Sequence, residues 1–147
     1  MPVAVEFNAD TKDIMRKLQK LGKLDDLTTP LKRSGTHMEK SIGSRFRGAN
    51  WTPLSPRTYE IHPHRMGGKP LNDTGKLKAS VTSKAVRQLS KKQLKYGSNL
   101  KYAPLHNFGG RAGWGTYIPQ REFLNFESKD EQAIKRIFED YVKELGS

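Results

Sequence analysis

The chain has 147 residues, no cysteine and a formal net charge of +12. Its length suits one domain around a single hydrophobic core, and the lack of thiols excludes a disulfide framework or a thiolate metal site. With 34% hydrophobic residues and a mean hydropathy of -0.79, that core should be modest and much of the surface solvated or covered by partners.

No apolar signal segment follows Met1-Pro2-Val3 and no run reaches transmembrane length, so the chain is expected to fold in a cytoplasm without a membrane. The charge is unevenly placed. Residues 61–121 hold one acid, Asp73, against twelve Lys and Arg, whereas residues 122–147 hold seven acids against four bases. A field of one sign concentrated in the central third attracts polyanions or docks on an acidic protein surface, but it carries no sequence code.

Pro2 to Phe7 alternates apolar and polar residues (Val3, Val5, Phe7) and predicts a short half-buried strand. Asp10, supported by Asp13, predicts the start of a helix with Ile14, Leu18 and Leu21 on one stripe, ended by Gly22. Thr29-Pro30 predicts the start of a second helix to about Arg47, with Leu31, Met38, Ile42 and Phe46 on its apolar face. Gly35 and Gly43 lie near that face, either as weak helix positions or as points of close packing. Trp51-Thr52-Pro53-Leu54 predicts a turn or extended anchor, and Ser55-Pro56 another short helix interrupted at Pro63.

Residues 62–70, with Gly67-Gly68, predict a mobile connection, after which Asp73 or Thr74 caps a helical turn through Leu77. From about Ser80 to Gly97 the period changes to 2, which predicts an antiparallel hairpin around Ser90-Lys91-Lys92 with Lys84, Arg87 and Lys95 on its polar face. A short aromatic turn then runs from Tyr102 to Phe108. Four glycines between Gly109 and Gly115 predict a loop over 109–117, before the chain re-enters the core through Ile118 to Leu124. The last segment has Ser128 and Glu131 as a capping box, then Ile134, Ile137, Phe138, Tyr141, Val142 and Leu145 on one stripe, expected to bury against the sheet. The fold class is therefore α+β: a small antiparallel sheet, built from a hairpin within residues 80–97 plus short strands, packed against several helices including an amphipathic C-terminal one.

The candidate chemistry is sparse. His62-Pro63-His64 has a spacing that suits a metal on an extended segment, but a solvated loop is the simpler reading. His106 lies beside Tyr102 among glycines, yet there is no Gly-x-Ser-x-Gly elbow, and a structural hydrogen bond to backbone suits it better than catalysis. Gly109-Gly110 lacks the rest of a phosphate-binding loop and predicts a helix stop with positive φ. Arg121, between Pro119 and Phe123, is expected to be held rigidly and to pair with a carboxylate of its own chain or of the next subunit, or else to be solvated.

Arg111, Trp114 and Tyr117 on the glycine-rich loop are candidate interface residues, because exposed aromatics there favour docking; Tyr117 packing into the strand before Pro119 is the alternative. Lys84, Arg87, Lys91, Lys92 and Lys95 are candidate DNA-facing residues, while Tyr96 and Tyr102 are expected to face the core rather than stack on bases. No catalytic, cofactor or metal residue is assigned.

Three blocks resemble the phage virion morphogenesis family, the small tail-completion or neck proteins of Mu-like and related phages. The blocks are Phe46 to Thr58 with Trp51-Thr52-Pro53-Leu54-Ser55; Pro70 to Ser80 with Leu71, Thr74-Gly75 and Leu77; and Tyr102-Ala103, His106, Phe108-Gly109-Gly110, followed by Ile118-Pro119, Arg121 and Phe123-Leu124. The 109–117 loop is short beside the longer insertion often found in that family. The resemblance marks Trp51, Gly75, Tyr102, His106, Phe108, Gly109, Gly110, Arg121 and Phe123 as structural motif residues.

It implies one domain over 1–147 that acts in tail completion or head–tail joining by binding other tail or neck proteins. A homo-oligomer is expected, and if it forms a ring, the charge segregation alone suggests that the basic central third lines a channel for packaged DNA. The site of action would be the host bacterial cytoplasm during assembly and then the virion. The alternative is a non-specific nucleic-acid-binding module using the basic central third.

Overall fold

The computed structural model describes residues 2–4, 12–49, 51–55, 60–65, 68, 70–71, 74–111 and 117–146. The expectations for Val5, Phe7, Asp10, Pro56, Gly67, Asp73 and Trp114 lie outside these residues.

Helix α1 (Lys12–Lys20) buries Ile14 and Leu18, as its stripe predicts, while Leu21 is left 39% exposed. It closes over Gly22, whose φ of +71° lets the Lys23 N–H reach back to the Leu18 carbonyl at 2.9 Å. Helix α2 (Thr28–Gly48) begins differently from expectation. The cap position is Leu27, not Thr29, and just before it Asp26 Oδ1 accepts from the Thr28 N–H (3.1 Å) and hydroxyl (2.6 Å). Pro30 still falls in the first turn, where its missing N–H leaves no bond unmade. The helix ends at Ala49, in the left-handed conformation with φ 50°.

Pro63–Arg65 forms a single 3₁₀ turn where an interruption was expected. Helix α3 (Lys76–Ser80) starts after Gly75 at φ +81° and carries on through Ser80. The first hairpin strand therefore begins at Val86 and not near Ser80. Ser80 Oγ donates to the Leu77 carbonyl and Thr82 Oγ1 to that of Lys78, both at 2.7 Å, so the hydroxyls fold residues 80–84 back onto the helix. The alternation there has the period of a strand but belongs to turns.

Strands β1 (Pro2–Ala4), β2 (Val86–Leu89) and β3 (Leu94–Gly97) form a three-stranded antiparallel sheet in the order β1-β3-β2. The β2–β3 turn closes where predicted, with the Ser90 N–H on the Gln93 carbonyl at 2.8 Å. Arg87 pairs with Tyr96 and Gln88 with Lys95. Directly opposed residues share a face, so Arg87 and Lys95 lie on opposite faces, contrary to the single polar face expected.

Helix α2 is the centre of the fold. One side packs on the hairpin and the other on helix α5 (Ser128–Gly146), which also meets α1. The C-terminal helix thus buries Ile134, Phe138 and Tyr141 mainly against helices, not against the sheet as expected. Being covered on two sides explains why α2 buries Leu31, Met38, Ile42 and Phe46 together with Ser34, Gly35, Ser41 and Gly43. Gly35 is a point of close packing: a Cβ there would sit 3.2 Å from Leu94 Cδ2. Fully burying each large apolar side chain in this layer contributes about 1.5–3 kcal/mol.

A polar cluster crosses the α2–α5 contact. Asp130, 0% exposed, accepts from His37 Nε2 (2.9 Å), Ser41 Oγ (2.6 Å), the Glu127 N–H (3.1 Å) and Arg45 Nη2. Asp130 therefore takes the reach-back role at the helix start that the Ser128–Glu131 capping box was expected to fill. Burial pushes its carboxyl pKa up, but the bonds from Ser41, Glu127 and His37 and the Arg45 charge outweigh it and hold the value below the ordinary one. Arg45 Nη1 also donates to the Phe123 and Asn125 carbonyls at 3.0 Å each. Its Nε lies 3.1 Å from Glu127 Oε1, an ion-pair contact in which the N–H direction misses the oxygen.

Candidate functional site

The three motif blocks converge at one place. Helix α4 (Ala103–Phe108) carries the aromatic turn, opened by Pro104 within its first two positions. It stops at Gly109, whose N–H donates to the Leu105 carbonyl at 2.7 Å. Gly109 has φ +74°, and a Cβ there would lie 2.8 Å from the Gln120 nitrogen and 3.1 Å from the Ile118 oxygen. Both conformation and space thus demand glycine. Gly110, at φ +140°, opens β4 (Gly110–Arg111), which pairs antiparallel with β5 (Tyr117–Ile118). The region read as loop has a hairpin base, with Arg111 opposite Tyr117.

Asn107 binds the re-entering chain. Its Oδ1 accepts from the N–H groups of Phe123 and Leu124, each at 3.0 Å, and its Nδ2 donates to the Leu124 carbonyl at 3.3 Å. The side chain, 2% exposed, acts as a substitute strand partner for an irregular segment. Sequence reasoning passed over it; its only signal was an amide inside an otherwise aromatic and apolar block.

Arg121 is 6% exposed and fixed, as its neighbours predicted. Its Nε donates to the Thr52 carbonyl at 2.6 Å and its Nη2 to that of Pro53 at 3.0 Å, so main-chain carbonyls of the first block hold the guanidinium. Its backbone N–H donates to the His106 carbonyl at 2.9 Å. Trp51 completes the clasp: Nε1 donates to the Glu122 carbonyl at 2.9 Å, while its ring meets Phe46 edge-on at 5.2 Å. Phe46 also touches Phe123 at 5.7 Å. The first and third blocks are therefore tied together at Trp51 and Arg121.

The second block joins them around a cleft of about 250 Å³. Leu54 enters from the first block, Leu71, Thr74, Gly75 and Leu77 from the second, and Tyr102, His106 and Arg121 from the third, with Lys76 at its side. Tyr102, 43% exposed, lies edge-on to the His106 ring at 5.8 Å and is not the core residue expected, unlike the fully buried Tyr96. The Tyr96 hydroxyl donates to the Val81 carbonyl at 2.6 Å, and burial pushes its pKa up to about 12.

His106 differs from expectation in its bonding. Its main-chain carbonyl, not its ring, ties the block to the returning chain; ring Nδ1 is buried without a hydrogen-bond partner among the described residues. Burial and then the Arg121 charge hold its pKa below the ordinary histidine value.

Other sequence candidates lie apart from the cleft. Phe108 is 52% exposed and Tyr117 66%, so with Tyr102 they give this end of the molecule an aromatic exterior. Among the basic candidates, Arg87 is held by Glu39 at 2.6 Å over the Tyr96 ring, and Lys92 lies 3.8 Å from Asp25. Lys84 and Lys91 are exposed in turns, and Lys95 is half-buried on the sheet's other face. The five do not form one surface. The His62 and His64 rings meet edge-on at 5.8 Å.

The sequence profile of the phage virion morphogenesis family matches residues 9–143, a span that includes all three blocks. The chain belongs to this family. Within the phage virion morphogenesis family it is similar to a Haemophilus influenzae protein described as Mu-like prophage FluMu G protein 2. The two are 33% identical over 150 residues, which cover 97% of this chain and 98% of the relative. No solved structure matches the chain. Membership supplies a role in phage virion morphogenesis. Among the described residues no helix is long and apolar enough to cross a membrane.

Proposed function

We propose that this phage morphogenesis protein completes the tail or joins head to tail, and that it does so by binding other tail or neck subunits rather than by catalysis. The supporting observation is the junction itself. The side chains of Trp51 and Arg121 tie the first and third blocks together through main-chain carbonyls, and Asn107 braces the third, giving a rigid base that the second block borders. Tyr102, Phe108 and Tyr117 stand exposed on that base. Exposed aromatics on a preorganised frame lower the ordering cost of association and act as anchors.

The polar clusters have structural geometry. His37 and Ser41 both bond to Asp130 Oδ1, so no base is bonded to a nucleophile there. Assembly takes place in the host bacterial cytoplasm, and the protein stays in the virion as a homo-oligomer, a ring being the form in which its basic part would meet packaged DNA.

Electron microscopy of lysates of the parent phage, with and without the gene, tests this reading. Filled heads beside unjoined or ragged tails in the deletion are the expected result; normal infectious particles would overturn it.

The charge distribution supports one other reading, a non-specific nucleic-acid-binding module, since residues 61–121 carry twelve bases and one acid. A module of that kind binds duplex tightly with a steep log–log salt slope. Weak binding lost at moderate salt favours assembly.

A further inference from the structure

We propose that the open edge of β2 receives an extended strand of a partner polypeptide, one that is acidic on the sheet's outer side and apolar on its α2 side. In the order β1-β3-β2, strand β2 has a neighbour on one side only among the described residues. The Ser90–Gln93 hydrogen bond fixes the alternation of the ladder, so Val86 and Gln88 point their main-chain groups at β3. Arg87 and Leu89 point theirs outward, and no backbone hydrogen bond engages them among the described residues. The strand contains no proline, is straight-paired over its full length, and has Arg87, Gln88 and Leu89 exposed. An edge of this kind is a template for strand addition.

The side chains beside the edge specify the occupant. On the α2 side stands Leu89, 39% exposed, next to an Arg87 already neutralised by Glu39. That side favours an apolar residue. The outer side presents Lys95, one strand in from the edge and directly behind Gln88, and it forms no ion pair among the described residues. That side favours a carboxylate. Pairing two β2 edges of two copies would instead bring their basic side chains together, which disfavours a second copy as the occupant. The inference rests on the reading of the protein as one that works by subunit binding.

The test uses the full chain, ¹⁵N-labelled, with a capped peptide of alternating Val and Glu and a Val/Lys counterpart. Addition of the Val/Glu peptide is expected to shift the Arg87 and Leu89 amides and protect them from exchange, leaving the already bonded Gln88 unchanged. Leu89→Pro removes an outward N–H and should weaken binding about tenfold or more, whereas Leu89→Ala keeps it. Lys95→Glu should reverse the preference toward the Val/Lys peptide, which keeps the proposal testable if the proline variant does not fold.

Equal binding of both peptides, shifts away from the edge, or self-association of the free protein that Leu89→Pro abolishes would each overturn it. A peptide failure beside a completion defect in the gene deletion would remove the edge proposal and leave the assembly reading standing.

Discussion

The side-chain oxygen of Asn107 holds the backbone N–H of Phe123 at 3.0 Å, and through the adjacent bond to Leu124 it fastens helix α4 to the chain that returns sixteen residues later. Phe123 is fully buried, so water does not replace this bond if it is lost. Asn107→Ala leaves the N–H groups of Phe123 and Leu124 unsatisfied in the interior and should destabilise by about 2–4 kcal/mol. Urea unfolding measures it. Phe108→Ala, at an exposed neighbour, should change stability by less than about 0.5 kcal/mol.

Two glycines with nearly the same φ separate conformation from space. Around Gly22 (φ +71°) nothing among the described residues lies within 4 Å of where a Cβ would stand, whereas at Gly109 (φ +74°) the Gln120 nitrogen is 2.8 Å away. Gly22→Ala should cost about 1 kcal/mol from left-handed strain alone. Gly109→Ala must also displace backbone, and a loss of about 3 kcal/mol or more is expected. Thermal unfolding of the two variants side by side gives the comparison; equal losses would refute the steric account.

Asp130 links stability to acid pH. Its carboxyl pKa is lowered in the fold, so the stabilisation is present above the unfolded value of about 3.9 and is lost as pH falls through the folded value. Asp130→Asn should remove that part of the acid slope. At neutral pH the same change leaves Arg45 without its buried partner and should cost about 3–5 kcal/mol. Urea midpoints measured from neutral pH to acid decide both.

His106 acts in a higher window. Its pKa is depressed by burial and by Arg121, so the fold favours the neutral ring. The contribution is complete above the unfolded value of about 6.5 and declines as pH falls toward the folded value. NMR titration should give a His106 midpoint below the ordinary histidine value, and His106→Gln should flatten the stability profile just below neutrality. A midpoint at or above the ordinary value would contradict the burial.

Local chemistry was legible in the sequence where one segment suffices to decide it. The stripes of α1, α2 and α5, the turn at Ser90, the stop at Gly109 and the three motif blocks all follow from periodicity, turn residues or resemblance. Residues 80–85 misled because a two-residue alternation is also compatible with turns once the Ser80 and Thr82 hydroxyls fold back on α3. The faces of Arg87 and Lys95 depend instead on the hairpin register, which the Ser90–Gln93 bond sets from the turn.

Partners distant in sequence were decided only by the tertiary structure. The sequence shows that Arg121 has a restrained stem and that α5 has an apolar stripe to bury; it does not show that the guanidinium meets the carbonyls of Thr52 and Pro53, or that α2 stands between α5 and the sheet. Nor does it show that Leu54, Thr74, His106 and Arg121 border one cleft. Periodicity reports which face of an element avoids water, whereas the identity of the surface that covers it depends on packing among elements and on carbonyls that every residue carries alike.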